Sequence, residues 1–89
     1  MGLSFTDEEM KSYALNLYPD LVDKNNIPVA KIALEKYLRY SFRDDDTEVV
    51  KNLKAFYRLT LQKVPDNEKW KPLIVKISIS LKARGVEIK

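Results

Sequence analysis

The chain has 89 residues, of which 45% are apolar and 33% charged, and it contains neither cysteine nor histidine. One domain of this length buries about 60–65% of its unfolded surface, and without cysteine it has no disulfides and no thiolate metal site to stabilise it. The net charge of +3 is unevenly spread: residues 1–46 carry six Lys/Arg against nine Asp/Glu, and residues 47–89 carry ten against four, which points to one positively charged face.

The N-terminal segment Met1–Phe5 lacks a basic start and a long apolar region, so it does not read as a secretory signal. Gly2 with Thr6 fits a myristoylation pattern formally, but Thr6 has a structural use. Thr6 and Glu9 have the spacing of a capping box, Phe5 and Met10 stand at the staple positions, and Asp7 and Glu8 complement the helix dipole. Met10, Tyr13, Ala14 and Leu17 follow at helical spacing, and Pro19 predicts an end near Tyr18. The first helix is therefore expected over about 6–18. The polar loop 20–26 would then carry Leu21 and Val22 as core plugs.

Asn25-Asn26 followed by Pro28 marks the start of a second helix, over about 27–43. Its inward stripe reads Val29, Ala30, Ala33, Leu34, Tyr37 and Tyr40, with Lys31, Glu35 and Arg39 spaced by four on another side. Asp44-Asp45-Asp46 lacks the spaced acids, central glycine and terminal glutamate of a calcium loop, and reads as a turn capping a third helix over about 46–64. That helix presents Val49, Val50, Leu53, Phe56, Tyr57, Thr60, Leu61 and Val64 inward, and Pro65 closes it.

The last segment admits two readings. Val75 to Leu81 alternates as a strand would, with Val86-Glu87-Ile88 as a hairpin partner. As a helix over about 67–84 it places Trp70, Leu73, Ile74, Ile77 and Leu81 on one face, and Gly85 with Val86 would form a Schellman cap. The helical reading is adopted, because an isolated hairpin is marginally stable. The fold expected is all-α: a single-domain four-helix bundle with short loops.

Catalysis has little to draw on, with no histidine, no thiol, no serine elbow and no phosphate-cradling glycine loop. No catalytic residue, cofactor or metal site is assigned, and no small-molecule substrate. No apolar run approaches the ~20 residues of a membrane span, so the protein is expected in the cytoplasm, off the membrane.

Two surface signals remain. Lys51, Lys54 and Arg58 recur at i, i+3, i+7 on the third helix, and Lys69 and Lys76 add charge in the same half, giving a candidate nucleic-acid-binding set. An ordinary solvated helix face would look the same. No base-reading motif accompanies it, so any DNA contact would be independent of sequence. Val75 and Ile79 stand away from the core stripe of the fourth helix, Ile32 sits among Lys36, Arg39 and Arg43, and Phe42 and Leu59 are also off their stripes. Val75, Ile79 and Ile32 form a candidate partner-binding set, unless they fold against a loop or the tail. Trp70 reads as core more than as an interface anchor.

In size, charge, helical content and a thermophile-like composition (one glutamine, many Lys, Ile and Tyr), the chain resembles the small basic helical accessory subunits of archaeal family B DNA polymerase holoenzymes. No motif carries that similarity. It implies an archaeal, non-catalytic protein that binds a larger partner, a DNA polymerase, and helps it hold or extend DNA during replication. Two alternatives stand beside it: a stand-alone, sequence-independent DNA/RNA-binding protein, and a protein adaptor or homodimer with no nucleic-acid role.

Overall fold

The computed structural model describes residues 5–87; Gly2 and Ile88, on which the myristoylation pattern and the end of the hairpin reading rest, lie outside them. Four α-helices and one turn of 3-10 helix follow in order: α1 (Asp7–Asp23), α2 (Ile27–Tyr40), α3 (Asp46–Leu61), the 3-10 turn (Glu68–Trp70) and α4 (Lys71–Ala83). No strand occurs among the described residues. The fold is the all-α four-helix bundle the periodicity predicts.

Helix α1 starts as expected. The Glu9 amide donates to the Thr6 hydroxyl at 3.1 Å, and the Thr6 amide donates to Glu9 Oε1 at 2.9 Å. It does not stop at Pro19 but runs on to Asp23. An interior proline costs about 3 kcal/mol through a lost hydrogen bond and a clash with the preceding turn. Continuing the helix seats Tyr18, Leu21 and Val22 in the core, each contributing roughly 1.5–3 kcal/mol, so burial outweighs the break. The expected core plugs are buried, but they are helical.

The actual stop lies at Asn25, in the left-handed region with φ +57°. The Asn25 amide donates to the Val22 carbonyl at 3.1 Å and the Asn26 amide to the Leu21 carbonyl at 2.9 Å, a Schellman motif. Asn26 then caps α2 through the Val29 amide. Two adjacent asparagines thus end one helix and begin the next, which turns the chain back in a tight antiparallel corner.

Helix α2 ends at Tyr40, three residues before the expected limit, because the Ser41 hydroxyl bonds the Tyr37 carbonyl at 2.6 Å and later carbonyls are taken by Arg84. Asp45 caps α3 through the Thr47 amide at 3.2 Å, while Glu48 accepts from Asn52. Helix α3 stops at Leu61, and turns continue over residues 62–66, through Pro65. The predicted fourth helix is divided: Asn67 caps the 3-10 turn, and Pro72 sits in the first turn of α4. Gly85, with φ +83°, and Val86 donate to the Lys82 and Leu81 carbonyls at 2.9 and 3.0 Å. This second Schellman motif rejects the hairpin reading of residues 73–88, as far as Glu87.

Helix α1 packs chiefly on α2, α3 on α4, α1 on α3, and α2 on α4. Lys11 of α1 reaches Asp44 just ahead of α3, and Tyr18 reaches Thr60 near the end of α3, so α1 and α3 run in the same direction. Glu35 meets Lys76, and the carbonyls after α2 meet Arg84, so α2 and α4 are also parallel. The bundle is therefore two helical hairpins laid side by side in the same sense. Its core joins Tyr18, Leu34, Tyr37, Leu53, Phe56, Trp70, Leu73, Ile77 and Leu81.

Candidate interaction surfaces

Three polar centres hold the bundle and absorb most of its chemistry-bearing side chains. At one end, the Trp70 indole donates to Asn25 Oδ1 at 3.4 Å, tying the α3–α4 connection to the α1–α2 corner. Trp70 is fully buried, which places it in the core. In the middle, the hydroxyls of Tyr18 and Thr60 lie 2.5 Å apart, and Thr60 donates to the Phe56 carbonyl. Burial pushes the Tyr18 phenol up to about 12, against the opposing pull of its bond to Thr60. Burial also raises Tyr37, whose hydroxyl accepts from Asn52 at 2.9 Å.

At the other end lies the acid triplet, and each of its members is used. Asp44 pairs with the buried Lys11, which also reaches Glu8 at 2.5 Å; the hydrogen bonds from Asp44 and Glu8 raise the Lys11 ammonium far above the ordinary lysine value. Asp45 caps α3. Asp46 pairs with Arg84 at 2.6 Å. The same guanidinium donates to the carbonyls of Ser41, Phe42 and Asp44 at 3.0 to 3.1 Å. It fastens the end of α4 to the α2–α3 connection. The role of Arg84 depends on contacts about forty residues away that no local pattern encodes.

Apart from the exposed Phe5 and Tyr13 around the start of α1, two regions of the remaining surface hold the residues that the sequence singles out. On α3, Lys51, Lys54 and Arg58 are exposed, and none of them joins an ion pair among the described residues. Lys69 is likewise exposed, on the 3-10 turn. Lys76 is placed differently: it is half-buried and bridges to Glu35 at 3.1 Å, so it joins α2 to α4 and does not extend the α3 stripe.

The second region is the outer face of α2 and α4. Val75 and Ile79 are 54% and 62% exposed, one turn apart, next to the Lys76 bridge. They do not fold against a loop or the tail. Ile32, 51% exposed, lies one turn before Glu35. Beyond the bridge, Ile79 shares a cleft of about 420 Å³ with Leu38, Phe42 and Ala83, edged by Arg43. Phe42 is 78% exposed.

Charge follows this pairing of helices more closely than it follows the two halves of the sequence. Helices α2 and α4 together hold six Lys/Arg and one Asp/Glu, whereas α1 and α3 hold four and seven. The acidic character of the first half belongs to α1 and the triplet; α2, in that same half, is basic. No group of three or more carboxylates that could hold a metal gathers among the described residues, and none of their helices is long and apolar enough to cross a membrane. Compared with family models, curated proteins and solved structures, the chain matches none of them.

Proposed function

We propose that this chain is a non-catalytic interaction module that works in the cytoplasm as an accessory subunit of a nucleic-acid-processing assembly, of which a DNA polymerase holoenzyme is the model case. The observation that carries the reading is the outer face of α2 and α4, where Ile32, Val75 and Ile79 stay exposed among cations while the core is complete without them. Solitary exposed apolar residues are ordinary. Several on two packed helices, next to a cleft, suit a protein surface that is covered in the assembly.

The α3 stripe adds the second half of the reading. Lys51, Lys54 and Arg58 can release counterions from phosphates, and three such contacts give weak binding that falls steeply with salt. On this view the stripe draws the assembly to nucleic acid, and the α2/α4 face holds the protein partner. The experiment is a titration of duplex DNA at several salt concentrations, with the protein alone and with partners captured from the host. Weak DNA binding alone, strengthened in the captured complex and lost in a Lys51→Glu/Lys54→Glu/Arg58→Glu variant, is the expected result. Tight binding alone with a log–log salt slope of several charges replaces it with the stand-alone binder, and no DNA binding in either setting leaves a plain adaptor or homodimer.

A further inference from the structure

Resting on the reading that the α2/α4 face docks a protein, we infer the chemistry of its occupant: an acidic amphipathic helix of the partner. Val75 to Ala83 spans about 12 Å of α4, matching about two to three turns of a helix laid beside it. Along that length the face offers Val75, then Ile79, then the cleft between Ile79, Leu38 and Phe42. Apolar side chains at i, i+4 and i+7 of a partner helix meet such a series, with the last entering the cleft. The flanks are cationic. Lys31, Lys36, Arg39 and Lys82 are exposed on the two helices and join no ion pair among the described residues, and Arg43 borders the cleft. The acids near that cleft are already engaged, Asp44 with Lys11 and Asp46 with Arg84, so the free charge facing a partner is positive. Acidic flanks on the incoming helix complement it.

Other occupants fit less well. A phosphate backbone presents no apolar surface to Ile79 and Phe42. A bilayer surface covers exposed apolar side chains but does not send one into a concave cleft. A second copy would have to supply an apolar helix face flanked by free carboxylates. The acids that join no ion pair among the described residues and cap no helix, Asp7, Asp23, Glu48, Asp66 and Glu87, are scattered over the two ends of α1, the start of α3 and the segments after α3 and α4.

The test uses the full chain and a synthetic helix-favouring peptide of about 18 residues, long enough to hold helical structure in water. The peptide carries Leu at i, i+4 and i+7 flanked by Glu. Comparators are a scrambled isomer of the same charge, duplex DNA, and vesicles of phosphatidylserine and phosphatidylcholine. The patterned peptide is expected to bind at least tenfold tighter than its scrambled isomer, with amide shifts concentrated at Ile32, Phe42, Val75 and Ile79. Val75→Asp/Ile79→Asp is expected to weaken it at least tenfold with an unchanged melting curve, and Arg43→Glu/Lys82→Glu is an independent pair should the first fail to fold. Equal binding of the two peptides, stronger adsorption to vesicles, shifts confined to the α3 stripe, or self-association of the chain at the same concentrations overturns the inference. If neither peptide binds while both surface variants still lose the captured partner, the acidic-helix chemistry is wrong and the docking face stands. If neither variant loses the partner, the docking face itself is wrong.

Discussion

Where α1 meets α3, Tyr18 lies on Phe56 with ring centroids 4.4 Å apart and reaches Thr60; where α2 meets α4, a half-exposed ion pair, Glu35 with Lys76, crosses a seam that opens into a cleft. Both pairs run parallel. The difference is side-chain volume. The first seam is filled by two aromatic rings, while α4 offers Ser80 and Ala83 to the second, too little to fill the space beside Leu38 and Phe42. The first seam excludes water, and the second leaves apolar surface within reach of it.

The largest effect expected from this contrast is at Phe56, whose ring touches both Tyr18 and Tyr37. Phe56→Ala should cost about 3–5 kcal/mol in urea unfolding, from lost burial plus the cavity left behind. A cost below about 1 kcal/mol would mean that the first seam is not the closed one.

Arg84 tests whether the open pair of helices needs its own fastening. Removing the guanidinium in Arg84→Met leaves the Ser41, Phe42 and Asp44 carbonyls without that donor and should cost about 2–3 kcal/mol. Arg84→Lys should recover less than half, because an ammonium cannot reach several acceptors with a planar fork.

The closed seam should also respond to alkali. Tyr18 ionises near 10 when unfolded and near 12 when folded, so above pH 10 the folded state holds the extra proton. That contribution is complete below pH 10 and declines as pH rises through 12, a loss of up to about 2 kcal/mol read from urea midpoints. Tyr18→Phe should remove that part of the dependence. The raised Tyr37 and Lys11 act in the same direction, so some slope should persist in the variant.

These sites mark how far the sequence could be read. The capping box at Thr6, the paired asparagines, the helix-ending glycine and most of the inward stripes were legible because each is a local pattern with a local cause; Val29 and Leu61, placed inward by the same periodicity, are exposed because they lie at the edges of their stripes. Pro19 was misread because a local penalty was set against burial of Tyr18, Leu21 and Val22, which becomes visible only when α2 is in place. Alternation from Val75 to Leu81 resembled a strand because one helix bears apolar residues on two sides, a core side and an outer side. The exposure of Val75, Ile79 and Ile32 followed from their offset from the core stripe. The Glu35–Lys76 bridge, the Lys11 and Arg84 contacts and the cleft beside Phe42 join residues about thirty to forty apart, and no spacing rule reaches them.

The open seam itself should be energetically quiet. A double-mutant cycle on Glu35 and Lys76 should return about 0.2–1 kcal/mol, as for other solvent-exposed pairs, and should shrink with added salt.

Quieter still should be Val75→Ser/Ile79→Ser, which should change unfolding free energy by less than about 0.5 kcal/mol, because both side chains already face water and leave no cavity when shortened. A loss of several kcal/mol would mean that these residues support the fold, and the contrast between a closed and an open seam would disappear. Retained stability together with lost partner binding would locate the selective reason for their exposure outside the bundle.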